Sequence, residues 1–198
     1  MSDIFFLPYF GNIEFYSRLI SSENVVFEIW DTYPKQTFRN RTQILGANGI
    51  LDLSIPVKKP NGSRSKTHEI LIDYREDWQK NHLKSIESAY KNSPYYEFYE
   101  PYISRLILSN HELLIEKNQK ILEFLLEMLG IDLEVRLSDT FIKEKINQDF
   151  RINISPKIKS EFQCGRYIQV FADRFDFQNN LSILDLLFNE GPNSASFL

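Results

Sequence analysis

The chain has few of the residues on which the commonest catalytic motifs depend. Its 198 residues include one cysteine, Cys164, and seven glycines. A single cysteine excludes an internal disulfide and a cysteine-based metal site, and it is more typical of a small buried side chain than of a nucleophile. The glycines form neither a GxGxxG nor a P-loop pattern, and HExxH, GxSxG and CxxC are missing as well. The three histidines, at 68, 82 and 111, do not have metal-ligand spacing, so we expect no bound metal and no cofactor.

Long hydrophobic runs are also missing. No stretch approaches the roughly 18–20 apolar residues of a membrane-spanning helix. The start of the chain, MSDIFFLPYF, has Asp3 where a signal peptide carries positive charge, and it reaches Pro8 early. With 42% hydrophobic and 25% charged residues, the composition is typical of a folded soluble protein. We therefore expect a cytoplasmic protein without membrane insertion, folded as one α/β domain over residues 1–198, and the sequence does not indicate its oligomeric state.

Positive charge is concentrated in one segment of an otherwise acidic chain. The formal net charge is −4, yet the segment from Tyr33 to Lys66 has seven basic residues and one acid, Asp52, which leaves −10 for the remainder. The seven are Lys35, Arg39, Arg41, Lys58, Lys59, Arg64 and Lys66. A local basic patch on an acidic protein favours binding of a small anionic substrate there. Nucleic acid is not expected, because the patch has no obvious helix to enter a groove.

The first thirty residues have the pattern of a βαβ unit. An apolar run at 4–7 predicts a buried strand, and Asn12 is placed to cap a helix over 13–20. A second strand follows at 25–30, and Asp31 stands at its end. Ligands of such units favour the carboxyl ends of the strands. We therefore expect the segment that starts at Asp31 to lie near a binding site.

An antiparallel hairpin is predicted next. Strand-like runs at 41–45 and 50–57 flank the Asn-Gly pair at 48–49, which is the usual signal for a tight type I′ turn. With that pair as the turn, Ile44 lies opposite Leu53.

The same register places Arg39 opposite Lys58 and Arg41 opposite Pro56, so that the three basic side chains project from one face. Like charges that face each other destabilise a hairpin unless an anion lies between them. The register therefore predicts one shared anion site. The loop at 58–66, KKPNGSRSK, has the composition of a mobile segment that closes over a ligand, and a merely solvated loop is an equal alternative.

Helical patterns dominate the middle of the chain, roughly 77–130. Trp78, His82 and Ile86 share one face of an amphipathic helix, and a second helix near 113–129 ends at Gly130. Short strands are predicted at 133–137 and 167–171, and a capped helix after Ser182 closes the sequence, whereas 141–160 gives no clear pattern. The fold class is therefore α/β: a mixed sheet with an N-terminal βαβ-like unit, an antiparallel hairpin and a helical middle segment.

The candidate site residues come from the basic segment and its flanks. The substrate-binding candidates are Tyr33, Lys35, Arg39, Asn40, Arg41 and Lys58. Arginine and lysine bind phosphate or carboxylate through charge-assisted hydrogen bonds, tyrosine stacks on rings and asparagine supplies directional hydrogen bonds. Asp31 and His82 are the catalytic candidates. Asp31 is either a general base or, as we favour, the partner that orients an arginine. His82 is either a hydrogen-bonded core residue, which we favour, or an acid/base group.

Several stretches together resemble the WbqC-like protein family over nearly the full length. They are PYFGNIEFY, FEIWDTYPKQTFRNRTQI, LSIPVKK, the W-x-x-x-H spacing at 78–82, SAYKNSPYYE and the closing NLSILDLLFNEGPN. The resemblance implies a bacterial protein of surface-polysaccharide (O-antigen) biosynthesis with a suggested glycyl or other amino-acyl transferase role, and it brings no agreed catalytic residues. The chain departs from the family at its start, where the usual QPYFFP reads LPYFGN.

Two functional hypotheses follow. In the first, the protein is a group transferase that binds an anionic sugar-nucleotide-like or acyl substrate at the basic hairpin, with Asp31 or His82 handling a proton. Positioning and electrostatics are sufficient for such chemistry. In the second, the same patch belongs to a non-catalytic module that binds an anion or a partner.

Overall fold

A computed structural model describes residues 1–143 and 146–198 of the chain. In this part the strands are β1 Ser2–Phe5, β2 Val25–Phe27, β3 Arg41–Gly46, β4 Gly49–Ser54, β5 Val57–Lys58, β6 Leu71–Ile72 and β7 Ile146–Asp149. The α-helices are α1 Ile13–Ile20, α2 Trp78–Tyr90, α3 Tyr96–Leu108, α4 Leu114–Met128, α5 Phe150–Asn153 and α6 Ile183–Glu190. Short 3-10 helices cover Gly62–Arg64, Thr67–Glu69 and Gly191–Phe197. The architecture is mixed α/β, as predicted.

A small parallel sheet organises the N-terminal half. Its strand order is β2-β1-β7, and β1 pairs in parallel with both neighbours. The helix α1 connects β1 to β2, and its first turn is capped by Asn12, whose Oδ1 accepts a hydrogen bond from Phe15 N at 3.1 Å. The predicted βαβ unit is therefore confirmed. Because β2 and β7 lie on opposite sides of β1, the carboxyl end of β1 adjoins a topological switch point, where α/β sheets commonly bind ligands.

The antiparallel hairpin β3–β4 is confirmed, but its predicted register is wrong. Ile44 lies opposite Leu51, and Gly46 pairs with Gly49, so the turn residues are 47–48 rather than 48–49. A type I′ turn needs a positive φ at both central residues. Neither residue of 47–48 has one, and the positive φ of 112° belongs to Gly49, which follows them. The strands are therefore offset by two residues from the prediction.

The shared face of Arg39, Arg41 and Lys58 is lost as a consequence. Arg41 lies opposite Ser54, where β4 ends, and Pro56 interrupts the strand that was predicted to continue to 57. Proline has no N–H to donate, so the ladder does not extend through it. Lys58 belongs to β5 and lies opposite Leu71 of β6 instead.

The predicted helical middle segment is confirmed as α2, α3 and α4. The helix α4 buries an apolar face and two polar side chains, Lys117 and Asn118. The Lys117 ammonium donates to the carbonyls of Leu106 and Ser109 at the end of α3, both at 2.8 Å. The Asn118 amide donates to the carbonyls of Leu7 at 3.0 Å and of Arg39 at 2.6 Å. It thereby fixes the loop after β1 beside the basic segment.

The C-terminal part of the chain is less regular than predicted. The strands expected at 133–137 and 167–171 do not form, although Leu137 makes one parallel bridge to Phe27. The closing helix is confirmed as α6, and Ser182 Oγ caps it by accepting from Leu184 N at 3.3 Å. Among the described residues, no helix combines the length and the apolar character that a membrane span requires.

Candidate functional site

Five charged side chains gather at the carboxyl edge of the parallel sheet. They are Glu28, Asp31, Arg39, Asp149 and Arg151, and they are termed the carboxyl-edge cluster. Glu28 and Asp31 follow β2, whereas Asp149 and Arg151 lie at the end of β7. Three carboxylates face two guanidinium groups, so every member has an opposite charge among its neighbours. The cluster therefore lies where the fold favours a ligand, and its charges are largely compensated.

The Asp31–Arg39 ion pair contains an almost fully buried guanidinium group. Arg39 is 1% exposed, and its Nη2 donates to Asp31 Oδ2 at 2.6 Å. Its Nη1 donates to Thr37 Oγ1 at 3.2 Å, and its guanidinium lies 4.9 Å from the centre of the Phe6 ring. Burial lowers the pKa of Arg39 against the opposing effect of Asp31. The other Asp31 oxygen accepts from the Thr67 hydroxyl. The carboxylate thus holds Arg39 in place, as favoured for Asp31 from the sequence.

Arg151 is held in a similar way by Asp149. Its Nε and Nη2 donate to the two Asp149 oxygens at 2.8 and 2.6 Å. Although burial alone raises it, the pKa of Asp149 is held below its usual range by the Arg151 guanidinium. The remaining nitrogen, Nη1, is 3.5 Å from Glu28 Oε2. Two of the three Arg151 nitrogens are therefore firmly bonded, and Nη1 is the one least engaged.

A pocket of about 240 Å³ opens beside the carboxyl-edge cluster, between segments 34–37 and 151–158. Its charged lining consists of Lys35, Arg151 and Lys157, without a carboxylate among the described residues. Gln36 and Thr37 complete the polar wall, and Gln36 has a positive φ of 51°, which is uncommon outside glycine. This cavity is termed the cationic pocket. Its three cations and its position beside the carboxyl-edge cluster fit an anionic group.

Tyr33 and the loop at 58–66 pack against each other. The Lys59 ammonium lies 4.8 Å from the centre of the Tyr33 ring, and Tyr33 N donates to Ser65 O at 2.9 Å. The ring is 6% exposed, and burial raises the pKa of the Tyr33 hydroxyl, which has no hydrogen-bond partner within the described residues. The loop, for which closure over a ligand and simple solvation were equal alternatives, therefore packs against the Asp31–Tyr33 segment.

The other basic candidates are paired separately. Arg41 contacts Asp52 at 3.1 Å on the hairpin, and Lys58 contacts Asp73 at 3.5 Å. Asn40 exchanges hydrogen bonds with the backbone of Ile55, both at 2.8 Å. The predicted convergence of Arg39, Arg41 and Lys58 on one anion is therefore wrong. It followed from the incorrect hairpin register.

His82 lies in the interior beneath the hairpin. It is 5% exposed, its Nδ1 is 2.9 Å from the Tyr9 hydroxyl, and its ring centre is 5.2 Å from that of Trp78. Burial lowers the pKa of His82 to about 4, so the ring is neutral at pH 7. No hydrogen bond joins it to the carboxyl-edge cluster in the described part of the chain. This geometry fits the core-histidine interpretation.

The sequence pointed to Asp31, Arg39 and Lys35 but missed Asp149, Arg151 and Lys157. These three lie in 141–160, which gave no clear pattern. The one local signal is the Asp-x-Arg spacing, in which Asp149 Oδ1 also accepts from Arg151 N at 3.1 Å and caps the short α5. Such a spacing becomes informative only when β7 is known to lie beside β1.

The sequence comparisons cover the whole of this region. The model of the WbqC-like protein family matches residues 5–169, which include the carboxyl-edge cluster and the cationic pocket. The uncharacterised protein Rv1507c of Mycobacterium tuberculosis is 24% identical over 201 residues, and the alignment covers 87% of each chain. No solved structure matches the chain.

Proposed function

The chain belongs to the WbqC-like protein family, and from this premise we propose that it is a group transferase of bacterial surface-polysaccharide (O-antigen) biosynthesis. The proposed substrate is small and anionic, either a sugar-nucleotide-like compound or an acyl donor, and the transferred group is glycyl, amino-acyl or related. Its anionic part occupies the cationic pocket. The observation that carries the proposal is this pocket, with three basic side chains and no described carboxylate, at the carboxyl edge of a parallel sheet.

The three cations of the pocket suit a phosphate or a carboxylate. Lys35 and Lys157 are exposed and form no ion pair with any residue that the structure describes. Arg151 is preorganised by Asp149, which leaves Nη1 to reach an incoming anion. Hydrogen bonds between ionised groups are about twice as strong as those between neutral ones. A phosphate in this pocket thus exchanges water for three cationic partners.

Of the two catalytic candidates, Asp31 is connected to the cationic pocket within the described part of the chain, and His82 is not. Thr37 lines the cationic pocket, and its hydroxyl accepts from Arg39, which is paired with Asp31. The Asp31 side chain is 14% exposed, so a reacting group can approach it. His82 is enclosed and bonded to Tyr9. In the proposed site, Asp31 holds the buried Arg39, and Arg39 in turn holds Thr37 in the wall of the cationic pocket.

A non-catalytic anion- or partner-binding module is the second candidate. The observation that favours it is the pairing of Asp31 with Arg39 and of Asp149 with Arg151. Each carboxylate is engaged by the guanidinium group that it holds, so neither is free to accept a proton from a substrate. The same pocket then binds an anion without transferring a group.

Calorimetric titration tests the binding part of the proposal. UDP-N-acetylglucosamine and an acyl-coenzyme A serve as the sugar-nucleotide and acyl probes. The Lys35→Ala/Lys157→Ala double variant is expected to weaken binding of the better probe at least tenfold. Lys84→Ala, an exposed lysine on α2, is the matched control for loss of a surface charge. If neither probe binds, or if the double variant binds as well as the control, the proposed site is wrong.

Mass spectrometry separates the two candidates. The protein is incubated with both probes, and the products are searched for a transferred group. Transfer that is lost in Asp31→Asn, while this variant still binds both probes as tightly as the natural chain, supports the transferase. Binding with no transfer under any donor and acceptor combination supports the non-catalytic module.

A further inference from the structure

A second, larger pocket of about 420 Å³ lies next to the cationic pocket. Primary amides dominate its lining. They are Asn12, Gln43, Asn153, Gln163, Asn179 and Asn180. Apolar side chains, including Phe38 and Ile50, form part of the wall. This cavity is termed the amide pocket, and the proposed function assigns nothing to it.

The two pockets adjoin each other. Ser155 and Ile158 line both of them, and the consecutive residues Thr37 and Phe38 line the cationic pocket and the amide pocket, respectively. One ligand can therefore place a charged part in the first pocket and an uncharged part in the second. The segment 153–158 is the ridge across which such a ligand lies.

Hydrogen bonds fix one wall of the amide pocket in advance. Glu14 Oε2 accepts from Ser160 Oγ at 2.6 Å and from Asn180 Nδ2 at 3.1 Å. Asn180 Oδ1 in turn accepts from Glu14 N at 2.9 Å, and Asn179 Oδ1 accepts from Cys164 N at 3.0 Å. Glu14 is 9% exposed, so this wall is ordered before a ligand enters. Preorganisation of this kind reduces the entropy cost of binding.

Other amides of the pocket remain available for a ligand. Asn153 and Gln163 are exposed and form no side-chain hydrogen bond with the described residues. Gln43 donates to Asp52 through Nε2, which leaves its carbonyl oxygen as an acceptor. Each amide both donates and accepts hydrogen bonds, and so does a hydroxyl group.

The lining therefore matches a polyhydroxylated ring. Its hydroxyls can pair with the amides, and its C–H faces can pack on Phe38 and Ile50. The wall contains one carboxylate, Glu14, and one exposed ammonium, Lys159, so its charges offset each other and it offers no net positive charge for a second phosphate.

We propose that the amide pocket binds the sugar ring of a glycosyl phosphate whose phosphate occupies the cationic pocket. The inference rests on the proposed function of the cationic pocket, and it adds the class of the substrate and the place of its ring. Asn153 and Gln163 determine the affinity for the sugar, whereas Lys35 and Lys157 determine the affinity for the phosphate.

Calorimetry at one fixed ionic strength tests whether the cationic pocket binds the phosphate and the amide pocket binds the sugar. The probes are inorganic phosphate, glucose 1-phosphate, galactose 1-phosphate, mannose 1-phosphate and N-acetylglucosamine 1-phosphate. At least one sugar phosphate is expected to bind about tenfold more tightly than inorganic phosphate. Asn153→Ala and Gln163→Ala should each weaken that sugar phosphate by about three- to tenfold, the range for one neutral hydrogen bond. Both variants should leave the binding of inorganic phosphate unchanged.

Control variants separate failure of this inference from failure of the proposed function. Asn92→Ala removes an exposed amide from a different pocket and should change nothing. If all sugar phosphates bind only as tightly as inorganic phosphate, or if the two amide variants behave like Asn92→Ala, the sugar site is refuted while the anion site stands. If inorganic phosphate and every sugar phosphate fail to bind, the sugar site and the sugar-nucleotide form of the proposed function are both refuted.

Discussion

Replacement of Asp31 by asparagine is expected to destabilise the protein strongly, because it removes the carboxylate that is bonded to the buried Arg39 guanidinium. Arg39 is 1% exposed, and its Nη2 donates a hydrogen bond to Asp31 Oδ2 at 2.6 Å. Thr37 supplies one neutral acceptor at 3.2 Å, and Nε has no partner among the described residues. Removal of one partner of a buried ion pair costs about 3–5 kcal/mol. Asp31→Asn should lower the free energy of unfolding by about that amount.

The companion variant separates loss of charge from loss of packing. Arg39→Met keeps an unbranched side chain against Phe6 and leaves Asp31, which is 14% exposed and still accepts from Thr67. It should cost less than Asp31→Asn, about 1–2 kcal/mol, because the remaining charge reaches solvent. The double variant removes both charges and should be more stable than Asp31→Asn alone.

Urea unfolding of the four proteins at pH 7 measures this double-mutant cycle. The expected coupling free energy between Asp31 and Arg39 is about 2 kcal/mol or more. If Asp31→Asn lowers stability by less than 1 kcal/mol, or if the single effects add in the double variant, the pair does not hold Arg39 as argued. Arg41→Met/Asp52→Asn, which removes the partly exposed pair on the hairpin, is the control and should show a coupling of about 0–1 kcal/mol.

Three further predictions concern other parts of the chain. Burial lowers the pKa of Lys117 to about 8, so the unfolded chain binds more protons than the folded chain between about pH 8 and 10.5. The free energy of unfolding, measured with urea, should therefore rise with pH in that window by up to about 3 kcal/mol relative to Lys117→Met. Parallel pH curves for the two proteins would contradict this. Burial raises the pKa of Asp185, whose Oδ2 accepts from Tyr167 at 2.6 Å, so stability is lost as the pH rises through the folded-state pKa. Asp185→Asn should therefore be at least as stable as the natural chain in thermal unfolding at pH 7. A lower midpoint for the variant would show that ionised Asp185 stabilises the fold. Gln36→Gly should raise stability by up to about 1 kcal/mol because Gln36 has a φ of 51°; an unchanged or lowered midpoint would mean that the positive φ carries no strain.

Local patterns in the sequence were sufficient for the elements that depend on local interactions. The helix α1 begins where Asn12 caps it, α4 ends near Gly130, and the β1–α1–β2 unit follows from apolar runs of the right length. The hairpin register was harder, because it depends on which residue takes the positive φ. Gly49 takes it after the turn rather than within it. Because the turn lies at 47–48 rather than 48–49, every cross-strand partner differs by two residues from the prediction.

The pairing of β7 with β1 could not be predicted from the sequence. The strand β7 reads INQD and has no apolar alternation, because its side chains are only partly buried or exposed. It forms because β1 offers it an open edge, and that pairing brings Asp149 and Arg151 to the end of the sheet where Asp31 lies. Residues more than a hundred positions apart thus share one site. Neither residue type nor local spacing indicates such a meeting.

The distribution of ion pairs changes what the basic segment means. Its charge of +6 suggested one strong anion site, but the structure pairs Arg39, Arg41 and Lys58 with three different acids. The cations that remain beside the cationic pocket are Lys35 from this segment and Lys157 from a distant one, together with the partly engaged Arg151.

An anion in the cationic pocket therefore meets about three cations rather than seven. Its affinity should fall only modestly as salt is raised from 0.05 to 0.2 M, because fewer screened interactions contribute. A steep loss, of the kind that polyanion binding shows, would mean that the whole basic segment forms the binding surface. Since the ion pairs of Arg39, Arg41 and Lys58 would then have to open, that result would refute the pocket in favour of an extended site.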